Sequence, residues 1–330
     1  MIISRTPLRI SLVGGGTDLP DFYEEHGGAV VSTTVDKWIH VIVARRFEGD
    51  IRVSYSQTEI VDKASDVQHE LVREALRVTG IPRGVDIMTL ADVPAQGTGL
   101  GSSSTVTVGL LNALYAFQGV YKSPVRLAEE AATIEIEVLG KPIGRQDQYA
   151  AAVGGFNLIE FLPHHGGVRV EPLIHPPGTL KRLHRSLMLF YTGRQRPASQ
   201  VLQEQKAAVQ NGRAVAALQT MRDFAYELRE RLGTGEVDAV GRLLHENWLL
   251  KKGLVDNISN TDVDGWYERA LDAGATGGKI LGAGAGGFLL LFAPPDRQDR
   301  IRNALPALRE VPLRLAARGT HIAVVDDAQD

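Results

Sequence analysis

Apolar and polar positions along the chain switch repeatedly between two periods, and the switches mark the elements. Residues 8–13 form a short apolar run that stops at three glycines, which predicts a strand. Residues 29–35 and 39–44 are rich in β-branched side chains and predict two more strands. Between 65 and 79, Val67, Leu71, Val72, Ala75 and Leu76 recur at helical spacing, and the stripe ends at Gly80. Residues 85–90 predict a strand that runs into a glycine–serine stretch, and 106–117 are apolar and helix-compatible. Ser123 and Pro124 suit the N-cap and first turn of a helix reaching Leu139, before Gly140. Residues 156–161 and 168–172 predict a hairpin around His164-His165-Gly166-Gly167.

The second half opens on a strand at 187–191, followed by long polar-faced helical patterns over 199–251. Thr261-Asp-Val-Asp264 has the form of a capping box that would start a further helix. Lys279-Ile-Leu, a glycine run and the apolar residues 288–292 predict two strands joined by a glycine turn. A helix over 297–308 and strands near Leu313 and Ile322 close the pattern. Pro176-Pro177-Gly178 is the best boundary, dividing the chain into 1–178 and 179–330. Strands and helices mix without regular βαβ alternation, so the expected class is α+β.

Composition narrows the function classes. The 330 residues are 44% apolar and 23% charged, enough for two domains or one large one. A net charge of −3 provides no basic face for nucleic acid. The absence of cysteine excludes disulfides, thiol nucleophiles and Cys-based zinc sites. No apolar run approaches the ~20 residues of a membrane span, and the N-terminus lacks a signal-peptide pattern. The expectation is a cytoplasmic protein, monomeric or homodimeric, that engages neither nucleic acid nor membrane.

Candidate chemistry concentrates in three glycine clusters. In Pro94-Ala-Gln-Gly-Thr-Gly-Leu-Gly-Ser-Ser-Ser104, glycines alternate along the backbone, serines follow, and a helix is expected next. Such a loop gathers unpaired N–H groups and the positive end of a helix dipole at one point, which suits phosphate. The serine hydroxyls can add hydrogen bonds to phosphate oxygens or ligate Mg²⁺. Neither common nucleotide fold accounts for the clusters. Gly14-x-Gly16 lacks its third glycine, because Leu19 stands there, and Asp18 would face a pyrophosphate. Gly282-Ala-Gly284-Ala-Gly286-Gly287 fits GxGxxG but runs into a strand-like segment, and no Gly-Lys-Ser/Thr follows any cluster.

In order and spacing, Pro7-Leu-Arg-Ile-Ser-Leu-Val-Gly-Gly-Gly-Thr-Asp18, the 94–104 stretch and 282–287 resemble the three motifs of the GHMP kinases, essentially end to end. The Gly-Gly-Gly-Thr-Asp-Leu-Pro form of the first motif looks most like the D-glycero-D-manno-heptose 7-phosphate kinases. So do Tyr23-Glu-Glu-His-Gly-Gly28 and Gly144-Arg-Gln-Asp-Gln-Tyr149. Galactokinases usually carry Glu-His where this chain has Gly15 and Gly16. The resemblance implies a two-domain fold, the first domain like ribosomal protein S5 domain 2 and the second ferredoxin-like, with the active site between them. It also implies ATP, Mg²⁺ and transfer of phosphate to the anomeric hydroxyl of heptose 7-phosphate. A 1-kinase for an unphosphorylated fucose- or galactose-like sugar is the alternative, and a catalytically dead sugar-sensing regulator is a third reading.

The same resemblance implies residue roles. Asp147 would accept or orient the proton of the attacking hydroxyl, with Arg9 beside it and the transferring phosphate. On residues alone, Asp147 could instead cap a helix starting near Gln148. Gly97, Gly99, Leu100, Gly101, Ser102, Ser103 and Ser104 would wrap the ATP phosphates. Ser103 and Glu135 would ligate Mg²⁺, with Glu137 the runner-up among neighbouring helix-face glutamates. Asp18, with Gly15, Gly16, Thr17 and Gly284, would meet the sugar. An acceptor already carrying a phosphate needs a cationic subsite, for which Arg194, Arg196 and Lys37 are candidates. His164 and His165 lack partners at metal-ligand spacing and read as a solvated turn.

Overall fold

The apolar stretches at the N-terminus form longer strands than their hydrophobic runs imply. In the computed structural model, which describes residues 1–94, 98–194, 198–284, 286–316 and 318–326, β1 runs over Ile2–Val13. After a short helix α1 (Pro20–His26), β2 runs over Gly28–Arg45. The two strands expected at 29–35 and 39–44 are therefore one. Asp36 and Lys37 break the apolar pattern but not the ladder, because the Asp36 N–H donates to the carbonyl of Arg314 at 2.8 Å. Main-chain pairing carries the strand through a polar step that side-chain periodicity reads as an end.

Next come β3 (Ile51–Ser54), β4 (Thr58–Val61), α2 (Glu70–Thr79) and β5 (Val85–Ala91). The helix starts later than its stripe predicts, since the His69 ring accepts from the Val72 N–H and sets the N-cap there. Then follow α3 (Ser102–Phe117), α4 (Pro124–Ala132), α5 (Gln146–Val153) and the hairpin β6 (Phe156–Leu162) and β7 (Gly167–Pro172). His164 and His165 form the hairpin turn, both with positive φ. The second half comprises α6 (Thr179–Ser186), β8 (Leu187–Tyr191), α7 (Ala198–Gln210), α8 (Val215–Gly233), α9 (Ala239–Lys252) and α10 (Thr261–Asp272). It ends with β9 (Gly277–Ile280), β10 (Phe288–Phe292), α11 (Gln298–Ala304), β11 (Arg309–Glu310), β12 (Leu315–Ala316) and β13 (His321–Val325). The cap of α10 is Asn260 and not Thr261. The Asn260 side-chain oxygen accepts from the N–H groups of Asp262 and Val263, so the capping box lies one residue out of register.

Two sheets result. The first has the order β13-β1-β2-β5-β3-β4, with β12 and the β6–β7 hairpin pairing the other half of β2. The second is β11-β8-β10-β9, antiparallel throughout. Sheet membership crosses the division expected at residue 178, since β12 and β13 return to β2 and β1. Alternate residues of β10 serve different cores. Phe288, Leu290 and Phe292 join the large cluster beneath the first sheet, while Leu289 and Leu291 join Trp248, Val263 and Ile301 on the other face. Burial on both faces explains its unbroken apolar run. A third cluster of Phe22, Ala208, Val209, Ala214, Leu218 and Met221 clamps α1 to α7 and α8. It fixes the turn between β1 and α1 against the second half of the chain.

Candidate active site

A cavity of about 370 Å³ lies where the start of α3, the start of α5 and the turn after β1 converge. Its floor is made by two glycine segments in backbone contact. Gly99 has φ +76°, and a Cβ there would stand 2.2 Å from the Leu281 carbonyl oxygen. A Cβ on Gly282 would lie 2.4 Å from the Gly99 Cα. No side chain fits between them, which accounts for glycine at both positions. Gly101 is the left-handed N-cap of α3, and among the described residues no side chain caps this helix. The unpaired N–H groups and dipole of a 16-residue helix therefore open onto the cavity, where Gly101, Ser102, Ser103 and Ser104 line the wall. Leu100 is wholly buried, and its carbonyl accepts from the Arg9 N–H at 3.1 Å, fastening the loop to β1. Gly97 lies outside the described residues.

Asp147 stands in the first turn of α5 but does not cap it, since the N-cap is Arg145. Its carboxylate accepts two hydrogen bonds from Arg9, Nε to Oδ1 and Nη2 to Oδ2, both 2.7 Å. The third arm of the guanidinium donates to the Gly99 carbonyl at 2.5 Å. This fork holds the ion pair rigidly at the mouth of the helix. A Cβ on Gly101 would come 3.1 Å from Asp147 Oδ2, so carboxylate and helix terminus abut.

Glu135 lies in a π-helical turn, Thr133–Val138, that continues α4, and it is fully buried. It accepts from Ser103 Oγ at 2.8 Å, Ser104 Oγ at 2.6 Å and Gln148 Nε2 at 2.6 Å. Burial pushes its pKa up, against these donors and Lys141, whose Nζ is 4.0 Å away. Glu137 faces outward and pairs with Arg145.

Asp18 is buried in the same cavity. Its oxygens accept from the Gly16 N–H at 2.9 Å and the Gln146 N–H at 3.4 Å. Burial, and then the charge of Asp147, push its pKa up. Gly15 and Gly16 line the cavity with it. Thr17 does not, because its hydroxyl is taken by the main chain of Ala29. Gly284 packs against Ile258, leaving Gly282 and Ala283 as the lining residues of that turn.

Among the described residues, the expected cationic subsite does not assemble. Arg194 pairs with Asp262 and covers the Trp266 ring, Lys37 pairs with Asp36, and neither lines the cavity. Arg196 lies outside the described residues. Three lysines missed in the sequence line the cavity instead: Lys141, which pairs with Glu70 at 2.9 Å, and two buried ones. Lys251, on α9, donates to the Gly282 carbonyl at 2.8 Å, and burial lowers its pKa to about 8. Lys279, on β9, donates to the carbonyls of Ser11 and Leu12 at 3.1 Å each. Its burial and the neighbouring Lys251 charge hold its pKa well below the ordinary lysine value. A signal was available, since Lys251 falls three residues after buried Trp248 on the core face of its helix and Lys279 falls inside a buried strand. Among the described residues, no group of three or more His, Cys, Asp or Glu side chains could hold a metal, and no helix is long and apolar enough to cross a membrane.

The chain matches the family models of the GHMP kinases N terminal domain over residues 65–155 and GHMP kinases C terminal over 224–310. It is 31% identical over 319 residues to the D-glycero-alpha-D-manno-heptose 7-phosphate kinase of Campylobacter jejuni, covering 92% of this chain and 93% of that one. It is 28% identical to the bifunctional fucokinase/GDP-fucose pyrophosphorylase of Arabidopsis thaliana, over 91% of this chain and 30% of that longer protein. The crystal structure of a D-glycero-D-manno-heptose 1-phosphate kinase from Bacteroides thetaiotaomicron superposes with a TM-score of 0.82 at 26% identity, over 99% of this chain and all of the other. An α+β architecture of two sheets, a cavity at an uncapped helix start and these matches along nearly the whole length agree: the chain belongs to the GHMP kinases and is a sugar kinase of that family.

Proposed function

We propose that the enzyme transfers the γ-phosphoryl group of ATP to the anomeric hydroxyl of D-glycero-D-manno-heptose 7-phosphate, giving the 1,7-bisphosphate. The observation that carries the reading is the Arg9–Asp147 fork set against the open start of α3. Phosphoryl transfer needs alignment and charge stabilisation more than covalent help from the protein. The N–H groups of α3 would hold the phosphates, and Arg9 would face the charge that develops on the transferring group. Asp147 would take the hydroxyl proton as the sugar oxygen bonds to the γ-phosphorus and the bond to the ADP oxygen breaks. Asp18 would hold a sugar hydroxyl.

A fully buried carboxylate and two serine hydroxyls form a hard-oxygen donor set that fits Mg²⁺. Ser103 and Glu135 would hold the ion, which would neutralise phosphate charge. The match to the heptose 7-phosphate kinase of Campylobacter jejuni supports the acceptor. The pairing of Arg194 and Lys37 with carboxylates outside the cavity favours a second reading, a 1-kinase for an unphosphorylated sugar. Turnover on heptose 7-phosphate and on unphosphorylated heptose separates the two. Equal kcat/KM on both would remove the distal phosphate from the proposal.

A further inference from the structure

Three elements from both halves of the chain each bring a polar side chain with an unmet atom to the lining of the cavity. Ser11 Oγ comes from β1, Gln146 Oε1 from α5 and Gln205 Nε2 from α7, and none of these buried atoms has a hydrogen-bond partner among the described residues. The residues are 6%, 9% and 3% exposed. Leaving a buried polar atom unmet destabilises the fold, so three that line one cavity point to a ligand that meets them.

Their chemistry limits what the ligand presents. The Gln146 amide nitrogen bonds the Asp18 carboxylate, so its free oxygen asks for a donor. The Gln205 nitrogen asks for an acceptor, and the Ser11 hydroxyl can serve as either. A phosphate or carboxylate only accepts, and it would lie against the acceptors of Gln146 and Asp18. A hydroxyl both donates and accepts. Gly15 borders two of these side chains, with the position of a Cβ there 3.4 Å from Ser11 Oγ and 3.7 Å from Gln146 Nε2.

We infer that Ser11, Gln146 and Gln205 read the ring hydroxyls of the acceptor, selecting a hydroxyl over a carboxylate or phosphate at the point they reach. The inference rests on the proposed sugar acceptor and adds the residues that choose it. The test uses Gln205→Met and Ser11→Ala in the full chain. Three quantities are measured: the KM for heptose 7-phosphate, the KM for ATP, and the Tm without ligand. A set of monodeoxy heptose 7-phosphates is assayed alongside, and calorimetric binding of the sugars frees the readout from turnover. Each variant is expected to raise the acceptor KM roughly tenfold, the equivalent of one hydrogen bond, with the ATP KM within about twofold. One deoxy analogue is expected to lose roughly tenfold on the wild type and nothing more on Gln205→Met. The Tm of Gln205→Met is expected to hold or rise, because the change removes an unmet buried donor.

An unchanged acceptor KM in both variants overturns the inference and leaves the kinase reading standing. A lowered Tm with acceptor and ATP constants moved alike shows a structural role and overturns it too. A wild type that binds and phosphorylates hydroxy acids such as mevalonate but no sugar overturns both. A wild type that uses another sugar removes only heptose 7-phosphate, and the variants are then read on that sugar.

Discussion

Lys251 Nζ donates to the carbonyl of Gly282 across 2.8 Å, placing a buried ammonium where the two glycine segments meet. Its pKa falls from 10.5 to about 8 because burial disfavours the charge. The unfolded chain keeps that proton up to 10.5, so between pH 8 and 10.5 it binds more protons than the folded one, and this residue makes stability rise with pH there. Lys251→Met should therefore raise stability near pH 7, by on the order of 3 kcal/mol, and flatten the Tm profile between pH 8 and 10.5. It should also lower kcat/KM by about two orders of magnitude as a cation lining the cavity is lost. A parallel pair of Tm and activity profiles checks both. Reduced stability at pH 7 would contradict the assignment.

Asp147→Asn removes the proton acceptor but keeps the shape that Arg9 holds. Its kcat should drop roughly 10²–10⁴-fold with ATP binding retained. ADP release measured beside ATP titration decides the matter, and full turnover would show that Asp147 is not the base.

Glu135 is a carboxylate whose pKa is raised in the fold, so the stability it lends is complete below about pH 4.5 and is lost as pH rises through the folded value. Glu135→Gln should match or exceed the wild-type Tm at neutral pH without metal. It should then lose most of the Tm gain that MgATP gives the wild type. An equal MgATP gain in both proteins would exclude Glu135 as a metal ligand.

Gly99 and Gly119 share a backbone conformation, φ +76° and +74°, yet only Gly99 meets a neighbour, with nothing within 4 Å of a Cβ at 119. Gly119→Ala should cost about 1–2 kcal/mol, the penalty of the left-handed region alone. Gly99→Ala should cost several kcal/mol more and raise the ATP KM, because the Leu281 carbonyl must move. Chemical denaturation of the two variants isolates the contact.

Much of the fold was legible because it rests on local patterns: the strand at Leu187–Tyr191, the Ser123 cap and the hairpin at 156–172 follow from residues near each other in the chain. The continuity of β2 and the return of β12 and β13 were not, since both depend on main-chain pairing between segments far apart in sequence. In the site, motif order led to Arg9, Asp18, Ser103, Glu135 and Asp147, which the fold brings to one cavity or its edge. Proximity to a glycine turn misled for Arg194, because adjacency says nothing of which carboxylate a flexible cation meets. Lys251, Lys279 and Gln205 come from elements without a motif, and only packing of the two halves brings them in.

The double-sided burial of β10 bears on how the enzyme can move. A strand that gives Phe288, Leu290 and Phe292 to one core and Leu289 and Leu291 to another cannot swing with either alone. Opening the cleft like a book would bring these side chains into water at about 1.5–3 kcal/mol each. Such an opening is therefore expected to be rare, because it must break one of the two cores that share this strand. Thermal unfolding should accordingly appear in calorimetry as one transition shared by both halves.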